Sequence, residues 1–159
     1  MYLKEHPFRE KWENSKSHGP DSYKDTILEF INQFYPNAKN ILDLGMCNGL
    51  LVKKLRKSGK RAIGIDLRVK TSEGLILADA RQLPFQDEVF DIVTEAYLLA
   101  DMKDFQQLPF SELEKVILEA RRVLKVGGIF ITTPNPHLSE QYFNKTLLKE
   151  GLIWGVYQK

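Results

Sequence analysis

The chain has 159 residues, 43% hydrophobic and 28% charged, with a formal net charge of +2. That length suits one domain with a core of its own, and so small a charge gives no field to draw it to nucleic acid or an acidic membrane. A lone cysteine, Cys47, excludes an intrachain disulfide, and His6, His18 and His137 lie too far apart for ligand spacing, so no metal site is expected.

Residues 1–20 are polar with scattered aromatics, have no signal-peptide core and end in the turn signal Ser17-His18-Gly19-Pro20. They read as an N-terminal arm or lid. No apolar run approaches the roughly 18 residues that span a bilayer, so a cytoplasmic protein without a membrane segment is expected. Ser22 is placed to cap a helix whose apolar face is Ile27, Phe30, Ile31 and Phe34, stopped by Pro36. Ile41–Leu44 is a short apolar run, a buried strand. A helix follows over about Asn48–Ser58, with Leu51, Val52 and Leu55 facing in and Gly59 ending it. Ala62–Ile65, closed by Asp66, is a second strand, Leu75–Ala78 a third and Phe90–Thr94 a fourth. Ser111 and Glu114 have the spacing of a capping box. Behind them Leu113, Val116, Ile117, Ala120, Val123 and Leu124 form a helical stripe that Gly127-Gly128 ends. Ile129–Thr133 is a fifth strand, stopped by Pro134. A helix near Ser139–Glu150 and an apolar tail, Leu152–Tyr157, complete the chain. Strands that alternate with helices and are apolar on both faces predict an α/β fold. The expected form is a Rossmann-like, doubly wound, mainly parallel sheet with helices on both faces, in one domain over residues 1–159.

Open parallel sheets bind ligands outside the carboxyl ends of their strands, where strand order reverses. Strand one ends in Asp43-Leu44-Gly45-Met46-Cys47-Asn48-Gly49. Gly45 permits a tight turn and a close ligand approach, and Gly49 close packing at the helix start. Asp66, ending strand two, is placed to accept hydrogen bonds from both hydroxyls of a ribose. A nicotinamide dinucleotide would call for GxGxxG, with glycines at 47 and 50, where the chain has Cys47 and Leu50. Beside a pyrophosphate, Asp43 would repel by about 3 kcal/mol at about 5 Å and an effective dielectric near 20. Beside an ammonium it would attract. S-adenosylmethionine carries an ammonium and a sulfonium and no phosphate, and the electrostatics favour it.

The run Asp43–Gly49 resembles the first motif, DxGxGxG, of class I S-adenosylmethionine-dependent methyltransferases of the small, type 11-like kind. Asp66 falls where that family's ribose-binding acid ends strand two. Asp79-Ala80 is similar to its adenine-contacting pair, Leu83-Pro84-Phe85 with Phe90-Asp91-Ile92-Val93 to its LPF…FDxV run, and Glu119–Gly128 to the helix and turn before strand five. The resemblance covers roughly residues 25–135. It implies S-adenosylmethionine as cofactor and a cofactor-binding set of Asp43, Leu44, Gly45, Met46, Cys47, Gly49, Asp66, Leu67, Asp79, Ala80 and Glu95. Asp43 and Gly45 would hold the amino-acid end, Asp66 the ribose and Asp79 the adenine amino group. Segment Thr94–Leu98 would lie near the transferred methyl. Two departures stand out. Cys47 replaces the central glycine, and the 26 residues after strand five suffice for one helix and one strand. A shortened C-terminal edge is therefore expected, with two alternatives: a second copy or a partner chain covers it, or the tail is itself the last strand and the sixth is dispensed with.

Other features have competing explanations. Lys53, Lys54, Arg56, Lys57, Lys60 and Arg61 form a basic run without aromatics; a solvated helix face explains it better than an RNA surface. Cys47 has no histidine nearby in sequence and reads as a glycine replacement rather than a nucleophile. Thr94-Glu95-Ala96-Tyr97 is not [DN]PP[YF], which argues against amino methylation of adenine in nucleic acid. Trp12, His18, Tyr97, Asp101 and His137 are the candidate substrate contacts. The expectation is a methyltransferase for a small-molecule acceptor. A non-catalytic cofactor-binding or regulatory partner subunit, and an RNA or protein methyltransferase using Lys53–Arg61, are the alternatives.

Overall fold

The computed structural model describes residues 20–68, 74–133, 139–150 and 154–159. The elements are α1 (Pro20–Phe34), β1 (Asn40–Leu44), α2 (Leu50–Lys57), β2 (Arg61–Asp66), β3 (Leu75–Leu77) and β4 (Phe90–Ala96). A short α3 (Leu98–Ala100) follows, continued by a π-helical turn (Asp101–Phe105). Then come α4 (Phe110–Val123), β5 (Leu124–Thr133), a 3-10 turn (Glu140–Tyr142), β6 (Lys145–Glu150) and β7 (Trp154–Gln158). The seven strands form one sheet in the order β3-β2-β1-β4-β5-β7-β6. β1 to β5 run parallel, and β7 lies antiparallel to both β5 and β6. Strand order reverses between β1 and β4, the place where such sheets hold ligands.

Period-two alternation explains why the strands are apolar on both faces. Ile41, Ile92, Ile129 and Ile131 pack into one core with Ile27, Phe30 and Ile31 of α1 and Leu51, Val52 and Leu55 of α2. Their neighbours Leu42, Val93 and Phe130 enter the other core with Leu113, Val116, Ile117 and Ala120 of α4. Each of these side chains is essentially fully buried, contributing about 1.5–3 kcal/mol apiece for the larger ones. Gly64 in β2 lies beneath this packing. A Cβ there would sit 2.3 Å from Met46 Sδ and 2.7 Å from Val52 Cγ2.

The structure corrects several expectations. α1 opens at Pro20, two residues before Ser22, because proline's fixed φ and missing N–H suit a first helical turn. The capping box does not form. Pro109 in extended backbone takes the N-cap place of α4, and Glu114 Oε1 instead accepts from the Tyr142 hydroxyl at 2.8 Å. α4 stops at Val123, and Leu124 is already extended, so Gly127-Gly128 fall inside β5, within the register shift between the Phe90–Leu124 and Ile92–Ile129 pairs. Most consequentially, the expected helix over 139–150 is a 3-10 turn followed by strand β6. Lys145-Thr-Leu-Leu-Lys-Glu150 forms an edge strand because it pairs with β7, whose Val156 and Tyr157 are completely buried. Tertiary pairing outweighs helical propensity here, and charged residues suit an edge. Among the described residues the sheet therefore has seven strands, with a strand where the sequence led to an expected helix. The arm with Trp12 and His18, and also His137, lie outside the described residues. Among the described residues no helix is long and apolar enough to cross a membrane, and no cluster of acids, histidines and cysteine could hold a metal.

Candidate functional site

The loop between β1 and α2 has left-handed backbone at alternate residues: Gly45 (φ 67), Cys47 (φ 54) and Gly49 (φ 68). This alternation is the physical content of the glycine pattern, since L side chains at such φ cost about 1–2 kcal/mol. Cys47 bears that cost. A Cβ at Gly45 would come within 3.0 Å of Leu98 Cβ, and one at Gly49 within 2.8 Å of a Leu75 methyl, so both glycines also permit close packing.

The loop's backbone donors turn inward. Gly45 and Met46 N–H both donate to Ile65 O, Cys47 N–H to Asp66 Oδ2 at 3.1 Å, Gly49 N–H to Met46 O and Leu50 N–H to Asn48 Oδ1. Five of the six N–H groups from Gly45 to Leu50 are thus used within the protein. A phosphate would find few free donors in this loop. Asp43 lies behind the loop, 4% exposed, its Oδ1 accepting from Thr94 Oγ1 at 2.8 Å. Burial pushes its carboxyl up to about 7, an effect opposed by the Thr94 hydrogen bond and by Lys24 and reinforced by Asp66.

A cavity of about 580 Å³ opens beside the loop at the carboxyl ends of β1 to β4. Gly45, Cys47, Asp66, Leu67, Asp79 and Ala80 line it, as do Tyr97 and Asp101. Asp66 is 8% exposed, and its oxygens accept from Cys47 N–H and from Arg68 N–H at 2.9 Å. Leu67 is 60% exposed, an apolar side chain left open at the cavity mouth. Asp79 is held by Arg81, whose guanidinium lowers its carboxyl below the usual range. Tyr97 has φ 69, donates its N–H to Thr133 O at 2.6 Å and meets Tyr23 edge-on at 5.4 Å. Burial and Tyr23 both push its phenol up. Asp101 Oδ2 accepts from Gln106 Nε2 at 2.6 Å, closing the π-helical turn that forms one wall.

Not every expected residue reaches the cavity. Leu44 and Met46 are buried in opposite cores, so only their backbone belongs to the loop. Glu95 is completely buried. It accepts from Thr132 Oγ1, from Thr133 N–H at 3.1 Å and from Leu99 N–H at 3.3 Å, tying β4 and β5 to α3. Burial pushes its carboxyl up to about 7. The basic run is partly used inside the protein: Lys54 pairs with Asp25, Lys60 donates to Pro36 O and Arg56 to Ala62 O. Sequence reasoning missed Lys24, which donates to Asn48 Oδ1 at 2.9 Å, and Tyr23, both brought in by α1. It also missed Arg81, although its place two residues after Asp79 was a readable signal.

A cavity lined by Asp66, Asp79 and Asp101 along with Arg68 and Arg81, at the switch point of a 3-2-1-4-5-7-6 sheet and beside an inward-turned loop, suits a nucleoside-bearing ligand. The residues present fit S-adenosylmethionine: carboxylates to accept from hydroxyls and an ammonium, and an apolar flank for a base. A family model described as "Methyltransferase domain" matches residues 42–132, and the chain belongs to that family, the class I S-adenosylmethionine-dependent methyltransferases. The chain is 29% identical over 135 residues to the demethylmenaquinone methyltransferase of Thermobifida fusca (strain YX), covering 74% of this chain and 54% of that one. It is 28% identical over 151 residues to the ubiquinone/menaquinone biosynthesis C-methyltransferase UbiE of Rickettsia prowazekii (strain Madrid E), covering 82% and 54%. It thus spans about half the length of these curated relatives. Among solved structures, PH0226 from Pyrococcus horikoshii OT3 superposes with a TM-score of 0.60 at 20% identity, covering 98% of this chain and 81% of that one.

Proposed function

We propose that this protein transfers a methyl group from S-adenosylmethionine to a small-molecule acceptor. The inward-turned loop beside Asp66 is the observation that carries the reading, because its own N–H groups are mostly used within the protein while Asp66 and Asp79 line the cavity next to it. S-adenosylmethionine supplies a methyl group already activated on a sulfonium. The chain binds and orients. Each oxygen of Asp66 already has one backbone donor and keeps a lone pair for a ribose hydroxyl. Leu67 and Ala80 offer apolar surface to adenine, and Asp79 an acceptor for its amino group. Asp43 places a buried negative charge behind the loop that takes the amino-acid end. Tyr97 and Asp101 stand on the acceptor side. Alignment supplies much of the rate for such a displacement, so no strong base is required.

Calorimetric titration with S-adenosylmethionine tests the cofactor. No binding at millimolar ligand by folded protein would sink the proposal. Asp66→Ala should weaken binding at least about tenfold, the loss of charge-assisted hydrogen bonds; equal affinity would show that the ribose lies elsewhere. A methyl-transfer screen then covers the acceptor, starting with the demethylated quinones suggested by the curated relatives' names. The side chain of Cys47 in the cofactor loop favours a second reading, a binding subunit without catalysis. Binding with no transfer across quinones, other small molecules, RNA and protein would put that reading first.

A further inference from the structure

Arg81 lines the cavity beside Asp79 and Ala80, and it is anchored at both ends. Its backbone N–H donates to Asp79 Oδ1 at 2.9 Å. Its Nε lies 3.0 and 3.1 Å from the two oxygens, and Nη2 donates to Oδ2 at 2.7 Å. Nη1 reaches across to Glu112 Oε2 on the first turn of α4, also at 2.7 Å, and Lys115 holds the other oxygen of Glu112 at 2.6 Å. The guanidinium cannot rotate without breaking an ion pair at one end or the other, and the Asp79 carboxylate cannot rotate without losing the fork.

A carboxylate has about four acceptor positions. Arg81 fills both on Oδ1 and one on Oδ2, while Nε leans toward the second oxygen. One acceptor position remains, on an oxygen that the fork fixes in direction. We infer that Arg81 is a positioning residue for base recognition: it presents Asp79 to the cavity as a single, fixed acceptor that selects a 6-aminopurine over a 6-oxopurine. This inference rests on the S-adenosylmethionine reading above. A 6-amino group donates one N–H to that position. A 6-oxo group turns its own lone pairs against a carboxylate that Arg81 holds ionised, so the wrong base is rejected by repulsion as well as by a lost bond. Lysine cannot reproduce the arrangement, because an ammonium lacks the planar fork that engages Asp79 and Glu112 together.

The test is binding, read by calorimetry, of S-adenosylhomocysteine and its 6-oxo (hypoxanthine) analogue to the wild type, Arg81→Gln, Arg81→Lys and Glu112→Gln. The wild type should prefer the adenine compound by about tenfold or more, the worth of one charge-assisted hydrogen bond. Arg81→Gln and Arg81→Lys should cut that ratio at least threefold, mainly through weaker adenine binding. Glu112→Gln, which keeps the fork and frees its far end, should cut it less. A merely structural role would weaken both ligands alike and leave the ratio standing; that outcome, or no change at all, overturns the inference while the cofactor reading survives. A wild type that binds neither compound overturns the cofactor reading and the inference with it.

Discussion

Replacing Asp43 by asparagine removes a buried charge while keeping the side chain's shape and an oxygen for Thr94. Burial raises the carboxyl from 3.8 to about 7. Between those values the folded protein keeps a proton that the unfolded chain has released. The sign follows: this group's contribution is whole below about pH 4 and is lost as pH rises through about 7. The displacement corresponds to at most about 4 kcal/mol, and relaxation around a buried carboxylate reduces that substantially. Asp43→Asn should therefore stabilise the ligand-free protein by about 1–3 kcal/mol near pH 8, and by clearly less near pH 5. Urea titrations at both values measure the difference directly. Subtracting wild type from variant cancels the parallel contribution of Glu95, the other buried acid in this range. The same substitution should weaken S-adenosylmethionine at least about tenfold, because the ligand's cation is what repays the buried charge. A variant less stable than wild type near pH 8, or a gain that ignores pH, would refute the burial argument. Unchanged affinity would refute the role facing the ammonium.

Two further substitutions probe the loop. Cys47→Gly should raise stability by about 0.5–1 kcal/mol, the left-handed strain less glycine's extra unfolded-state entropy, measured by denaturant titration; a loss would show that the loop tolerates a side chain at φ 54 without strain. Gly64→Ala should cost about 1–3 kcal/mol by forcing Met46 and Val52 apart. It should also lower cofactor affinity, because Met46 belongs to the loop; a neutral effect on melting would mean that Met46 repacks freely.

Much of this was readable in advance because it is local. β1 to β5, α2 and α4 follow from apolar periods of two and 3.6 broken by glycine and proline, and the tight turns after β1 from the spacing of small residues. α3 and its π-helical turn instead fall in a stretch, Ala96–Phe110, that reads as a loop. What was not readable depends on partners distant in sequence. Lys145–Glu150 carries no strand signature of its own and becomes a strand only where β7 presents hydrogen-bonding groups and buried Tyr157. Glu114 fits a capping box until Tyr142 arrives from 28 residues away. Glu95 looked like a ligand contact because it ends a strand at the active edge. Its inward direction is settled by Thr132 and Thr133 on the neighbouring strand.

Asp66 shows why recognition and loop geometry are one problem at this site. Its Oδ2 pins Cys47 N–H, and with the two bonds to Ile65 O it fixes the loop to the end of β2. The same carboxylate is the proposed ribose acceptor, so Asp66→Ala removes a loop tether and a ligand contact together. Asp66→Asn separates them in part: its one oxygen can still accept from Cys47 and from one ribose hydroxyl, while its NH2 can accept from neither the other hydroxyl nor Arg68 N–H. The affinity lost on going to asparagine measures the charge and the ribose contact at Oδ1, and the further loss on going to alanine measures the Cys47 tether with whatever contact the remaining oxygen makes. If asparagine costs nothing and alanine costs the whole effect, Asp66 acts by holding the loop, and the ribose hydroxyls must find their partner on another residue of the cavity.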